Sequence, residues 1–401
     1  MKGLLVDQVG AFELVLRGPR GHERLKILGD YPKLDCATGL FNGLGTMHLI
    51  APYFPKTIVT NNFKIAEEIS FLIGDMYQSE KQNLPKFFLT LADLPSGHYL
   101  EWDEDTVFES GRTERRRRSN RTRLLNSQLR QLGCSRPSSK RVAVAYSAGK
   151  DSMWNMGWAQ ERYGAENVLC VHISGLNRCN VSRERSYSEA QARKLGFKNF
   201  RVIELLNSSR NTGYATMRSR DMFLAGVIAP VALEFGASQI ITEGFAEESS
   251  EEPYTGQEKN MRFFNNMLSA MRVPVRVAWR NAKEMDIIRD LILNRPDWLP
   301  TVCNCFAAPC YRPMLRRSWK KRAPTFPLYD SQCGSCVKCR IVNLARVLHD
   351  PALQKTRRAD IRTFLDSTSS WLATNRERLA DYVVGSFERD FNRATKIFKP
   401  H

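Results

Sequence analysis

The sequence predicts an α/β fold with a doubly wound parallel sheet from residue 141 onwards, preceded by an additional small α+β domain. Three observations predict it. First, five apolar residues, Val142-Ala143-Val144-Ala145-Tyr146, form a run typical of a strand buried on both faces. Second, a turn of small residues follows, Ser147-Ala148-Gly149, and then a segment to Tyr163 with helical spacing of apolar residues. Third, the same alternation repeats downstream, and strands alternating with helices imply a parallel sheet.

Strands are expected at 167–173, 200–206, 239–242 and 273–279. Helices are expected at 183–195, 221–235, 257–271 and 282–293, with further helical spacing from 341 to the end. The N-terminal part is less regular. Residues 12–16, 57–59 and 87–91 read as strands and 65–76 as a helix. Gly39, Gly43 and Gly45 read as a flexible loop. His22, His48 and His98 are scattered and read as packing or surface residues rather than ligands.

Composition narrows the function classes. The chain has 401 residues and a hydrophobic fraction of 42%, ordinary for a globular protein. No apolar run approaches the roughly 20 residues of a membrane helix, so no membrane partner is expected. Asp7 interrupts the apolar start where a signal peptide would continue, which leads to the expectation of a cytoplasmic protein. The net charge of +18 invites a polyanionic partner. Much of it sits in two clusters, Arg112 to Arg123 and Arg312 to Arg322.

A strand feeding a tight turn into a helix N-terminus presents backbone N–H groups and the positive end of the helix dipole to an anion. The turn is not a Walker A loop, which would need Gly at 144 and Ser or Thr at 151, where the chain has Val144 and Asp151. It reads Ser-x-Gly-x-Asp-Ser from Ser147 to Ser152.

Six of the ten Cys fall between 303 and 339. Cys333, Cys336 and Cys339 share one turn, and Cys303, Cys305 or Cys310 can supply a fourth thiolate. Four thiolates at such spacing suit a tetrahedral structural zinc. An iron–sulfur run would continue to Cys-Pro four residues on, where this chain has Asn343.

The Ser147–Ser152 turn resembles the PP-loop of the ATP pyrophosphatases, usually Ser-Gly-Gly-x-Asp-Ser. With the Cys turn, residues 141–345 resemble QueC, the 7-cyano-7-deazaguanine synthase family, in which a PP-loop domain is followed by a Cys and then Cys-Gly-x-Cys-x-x-Cys. Arg220-Asp221 stands where that family has Arg-Asn. Thr242 and Gly244, Glu184 and Lys283 are weaker matches. The family's Ser-Cys-Tyr resembles Asn304-Cys305-Phe306, which favours Cys305 as the fourth ligand. The family's Asp-Tyr-Gly-Gln-Arg-His after the second strand is here Ser174 to Cys179, a different loop.

The sequence divides into an N-terminal α+β domain at 1–110, a basic linker at 111–140, a PP-loop domain at 141–300, a zinc-binding Cys region at 301–345 and C-terminal helices at 346–401, of which the resemblance covers 141–345. It implies an ATP-dependent ligase that adenylates the carboxylate of 7-carboxy-7-deazaguanine and forms the amide or nitrile with ammonia. Ser147, Ala148, Gly149, Lys150, Asp151 and Ser152 would hold the nucleotide. Lys150, Ser147, Asp151 and Arg220 would be catalytic, with Asp151 placed for Mg²⁺. Cys305, Cys333, Cys336 and Cys339 would bind Zn²⁺. A homodimer, a protein or nucleic-acid acceptor and a place in anti-phage defence are further implied expectations. A tRNA-modifying PP-loop enzyme and a degenerate nucleotide-binding module are the alternatives, motivated by the basic excess, by Ala148 and by the altered 174–179 loop.

Overall fold

The computed structural model describes residues 4–18, 21–50, 57–60, 88–91, 99–101, 123–133, 137–175, 181–208, 214–243, 272–280, 282–303, 326–329, 336–376 and 381–398, together with 262, 264–266, 268–269 and 331–334. The expected helix at 65–76 and, apart from Arg123, both Arg clusters lie outside these residues.

The chain opens with an antiparallel meander, β1 (Leu4–Gly10), β2 (Glu13–Gly18) and β3 (Gly21–Leu28). Its alternating Leu14, Leu16, Leu25 and Ile27 are buried. Helix α1 (Asp35–Ile50) follows, where the sequence suggested a glycine-rich flexible loop. Gly45 serves close packing instead. A Cβ on Gly45 would come within 2.9 Å of Leu14 and 3.2 Å of Leu25. Leu40, Phe41, Leu44 and Leu49 fill the same buried side of the helix. Each such burial contributes about 1.5–3 kcal/mol, enough to outweigh the helix cost of a glycine, about 1 kcal/mol. The segment ends with β4 (Thr57–Thr60), β5 (Phe88–Leu91) and β6 (Tyr99–Glu101).

The parallel core then runs β7 (Ser138–Ala145), α2 (Lys150–Tyr163), β8 (Val168–Ser174), α3 (Val181–Lys194), β9 (Asn199–Asn207), α4 (Tyr214–Phe235), β10 (Ala237–Glu243), β11 (Arg276–Arg280) and α5 (Glu284–Asn294). Its strands lie in the order β11-β10-β7-β8-β9, all parallel. The chain starts at the centre, steps outward to β9, and returns past β7 to β10. That reversal makes a doubly wound sheet with its switch point between β7 and β10, the place where such sheets bind ligands. Both sheet faces are covered. On β8, Leu169 and Val171 join the core under α1 and α4, whereas Val168 and Cys170 join the core under α2 and α5. Burial on both faces is why these strands read as continuous apolar runs.

The N-terminal strands continue this sheet. Strand β3 pairs antiparallel with β9, from Leu25↔Asn207 to Leu28↔Glu204, giving one sheet of eleven strands among the described residues. Helix α1 lies on α4, where the Tyr31 hydroxyl donates to the Val227 carbonyl at 2.7 Å and His48 stacks on Phe223 at 5.0 Å. His48 is thus a packing residue.

Four helices close the chain, α6 (Val337–His349), α7 (Pro351–Thr356), α8 (Arg358–Asn375) and α9 (Asp381–Phe398). The helical pattern from 341 is broken at Pro351, which starts α7, and the Asp350 side chain caps α7 by accepting from the Leu353 amide at 3.1 Å. No helix among the described residues is long and apolar enough to cross a membrane.

Candidate active site

The turn from Ser147 to Ser152 leaves the carboxyl end of β7, beside the switch point, and enters α2 at Gly149. The two serines tie it into a ring. The Ser147 amide donates to Ser152 Oγ at 3.2 Å, Ser152 Oγ donates to the Gly149 carbonyl at 3.0 Å, and the Gly149 amide reaches Ser147 Oγ at 3.4 Å. No side chain caps α2. The first amides of a helix have no partner within it, so those of α2 are donors for an anion.

Ala148 takes φ +60° and is fully buried. This left-handed conformation costs an L-residue roughly 1–2 kcal/mol. Its carbonyl accepts a hydrogen bond from the Cys303 amide at 2.8 Å. The entrance to the Cys region therefore props the strained loop residue.

Charged groups converge on the loop from four elements. Lys150 on α2 is 3% exposed, and its ammonium meets Asp151 at 2.6 Å and Glu284, the first residue of α5, at 3.1 Å. Burial alone would lower its pKa, but Asp151, Glu284 and Glu243 outweigh that and raise it, so Lys150 stays charged. On α4, Arg220 pairs with Asp221 at 3.0 Å and lies 3.9 Å from Glu243, the last residue of β10. Asp221 and Glu243 hold the Arg220 pKa above its usual value.

Glu243 is surrounded by protein yet still open to water, with 46% of its side chain accessible. Burial first, and then the charges of Asp151 and Asp221, push its carboxyl up to about 7, partly offset by Arg220 and Lys150. Two cations among four carboxylates at the carboxyl edge of a parallel sheet can hold a polyphosphate, a divalent cation and a group that exchanges a proton near neutrality. For Mg²⁺ the fit is one of donor type, since Asp151 and Glu243 offer hard carboxylate oxygens.

A second polar group lines the opposite side of the loop. The Tyr146 hydroxyl donates to Gln191 Oε1, and Gln191 Nε2 donates to the Thr301 carbonyl. His172 Nδ1 meets the Tyr146 carbonyl at 3.0 Å, and burial lowers its pKa to about 4. Among the described residues, His172 Nε2 and the Ser174 hydroxyl are buried without hydrogen-bond partners. At the outer edge, Arg280, the last residue of β11, lies 3.7 Å over the ring of Trp154 on α2.

Cys333, Cys336 and Cys339 come together, with sulfurs all within 4.8 Å of one another and Cys333 Sγ to Cys339 Sγ at 3.9 Å. Four sulfurs at 2.3 Å from a tetrahedral zinc lie about 3.8 Å apart, so these three fit such an ion. The Arg340 guanidinium stands beside them. Burial lowers its pKa, the three thiolates oppose that, and Nη1 donates to Thr368 Oγ1 at 2.9 Å. Cys303 does not join this trio, and Cys305 lies outside the described residues, as do Cys310 and Gly244.

The structure thus brings Ser147, Ala148, Gly149, Lys150, Asp151, Ser152 and Arg220 to one edge. Arg220 sits two turns inside α4, which begins at Tyr214 rather than at Asp221 as the sequence suggested. Glu243, Glu284 and Asp221 were not picked out as site residues from the sequence, because isolated acids form no motif. The signal for the first two is position: the end of a parallel strand and the first turn after one.

No family model matches the chain, and no curated protein matches it. Among solved structures, glutamine-dependent NAD⁺ synthetase from Acinetobacter baumannii, in complex with ADP, is similar with 13% identity and a TM-score of 0.25. The match covers 86% of this chain, which spans 64% of the length of that one.

Proposed function

We propose that the chain is a QueC-like, ATP-dependent carbon–nitrogen ligase that adenylates the carboxylate of 7-carboxy-7-deazaguanine and forms its amide or nitrile. The observation that carries the reading is the Ser147–Ser152 ring at the switch point, with Lys150 and Arg220 directed to the same edge by acidic partners.

A carboxylate resists nucleophiles because of its charge, and adenylation replaces that charge with a leaving group. One carboxylate oxygen attacks the α-phosphorus of ATP. The bond to the bridging oxygen breaks and pyrophosphate leaves. The α2 amides, Ser147, Ser152 and Lys150 hold the departing pyrophosphate and stabilise the charge that builds on the bridging oxygen. Arg220 pairs with a phosphate or with the substrate carboxylate. Mg²⁺ held by Asp151 would neutralise phosphate charge. Ammonia then attacks the acyl carbon, AMP leaves, and the surplus proton passes to Glu243, whose carboxyl titrates near 7. A second ATP dehydrates the amide where the nitrile is the product. Cys333, Cys336 and Cys339, with Cys305 as the proposed fourth ligand, would hold a zinc that fastens the Cys region and supplies no chemistry to these steps.

Incubation with ATP, Mg²⁺, ammonia and 7-carboxy-7-deazaguanine should release AMP and pyrophosphate and yield the amide or nitrile. Absence of both from folded, zinc-loaded protein contradicts the reading. The net charge of +18 supports transfer to a nucleic-acid acceptor as the second reading. Salt-sensitive tRNA binding, with AMP release that requires the tRNA, would favour it.

A further inference from the structure

A cavity of about 210 Å³ lies between α5, α6 and α9, against the wall of the loop site. Glu284 is that shared wall: it lines the cavity, and its carboxylate contacts Lys150 of the phosphate loop at 3.1 Å. The floor is apolar, built on Ile341 and Phe387, which are 5% and 2% exposed. Around it stand the exposed cations Lys283, Arg289, Arg389 and Arg393. The acids do not balance them. Glu284 is committed to Lys150, and Asp286 to Arg289 at 3.3 Å. Asp390 remains, and burial raises its pKa even though Arg389, Arg393 and His349 pull it down. His349 is held below its usual pKa by burial and by Arg289 and Arg393. The result is a small concavity with an apolar base and three cations, Lys283, Arg389 and Arg393, facing one weakened acid.

We propose that this cavity is a second anion site, separate from the Ser147–Ser152 loop, for a small molecule carrying at least two negative charges as phosphate or carboxylate. Guanidinium groups from one face of α9 suit bidentate contact with either. The apolar floor suits a short carbon or ester portion. Two of the walls come from parts of the chain, α9 and the end of α6, that the sequence resemblance leaves without a role.

Isothermal titration tests the site with two probes, inorganic pyrophosphate and succinate, added to full-length, metal-loaded protein already saturated with α,β-methylene-ATP. The wild type should bind at least one probe at one equivalent; pyrophosphate alone identifies phosphate chemistry, and succinate alone carboxylate chemistry. Arg389→Gln combined with Arg393→Gln should weaken that binding at least tenfold while leaving affinity for the ATP analogue unchanged. Lys283→Ala, at a different wall, should weaken it several-fold. Should the analogue not bind, the titration is run on the free protein, and probe binding sensitive to the α9 pair supports the cavity independently of the loop. Binding of neither probe, or equal affinity in wild type and the folded double variant, overturns the proposal.

Discussion

The Cys303 amide donates to the Ala148 carbonyl at 2.8 Å, joining the Cys-rich segment to the one left-handed residue of the Ser147–Ser152 loop. The bond places a strained loop residue under the control of a segment whose later cysteines gather into a metal-sized trio. Removing the metal should therefore disturb the loop. Cys336→Ser is expected to lose bound zinc and to bind ATP more weakly, with a lower Tm. Metal content, thermal melts and nucleotide titration on one preparation check it.

Ala148 itself is open to a simple test. Ala148→Gly relieves roughly 1 kcal/mol of backbone strain but deletes a buried methyl worth about 0.8 kcal/mol. Stability should change little, by well under 1 kcal/mol in urea unfolding, and ATP binding should persist.

The local geometry of this site was legible in the sequence because its signals are local. Val142 to Tyr146 announced a strand buried on both faces, Ser147 to Ser152 a tight turn into a helix N-terminus, and Cys333 to Cys339 a turn that gathers three thiols. What was not legible depended on distance along the chain. Nothing near Leu25 or Asn207 announces that β3 pairs with β9. Gly39, Gly43 and Gly45 carry a loop's composition, and at Gly45 only the neighbouring Leu14 and Leu25 make glycine the fitting residue within a helix. Glu243 and Glu284 acquire meaning only once β10 and α5 bring them to the loop.

Glu284 shares Lys150 with Asp151, at 3.1 Å and 2.6 Å, and so withholds part of a buried positive charge from the phosphates. Glu284→Gln should strengthen Mg²⁺-free ATP binding about tenfold, in line with removing one negative charge near a polyanion at intermediate dielectric. Fluorescence titration with an ATP analogue measures it. Lys150→Met should do the reverse and lower the rate of AMP formation by at least a hundredfold.

Glu243 should appear in the pH profile. Its carboxyl is raised to about 7, so its carboxylate holds a proton in the neutral range where that of an ordinary glutamate is too weak a base. The wild-type rate of acyl transfer should rise through an inflection near 7. Glu243→Gln should be slower and should lose that inflection, whereas a role confined to packing would scale the profile without changing its shape.

His172 makes the fold acid-sensitive. Its folded pKa of about 4 lies below the unfolded value of 6.5, so the unfolded chain binds more protons between those limits. Stability is full above about pH 6.5 and falls as pH drops towards 4, by about 3 kcal/mol for this buried group. His48, also held at about 4, acts in the same direction. Urea unfolding from pH 7 to pH 4 should show the decline, and His172→Asn should make it shallower, leaving the part due to His48.

The central claim is that the loop at the switch point activates a carboxylate as an adenylate. Exchange of labelled pyrophosphate into ATP measures that step alone, without ammonia or product release. With 7-carboxy-7-deazaguanine present the wild type should exchange label into ATP, and Ser147→Ala or Lys150→Met should not. Exchange at background in folded, metal-loaded wild type that binds ATP would contradict it.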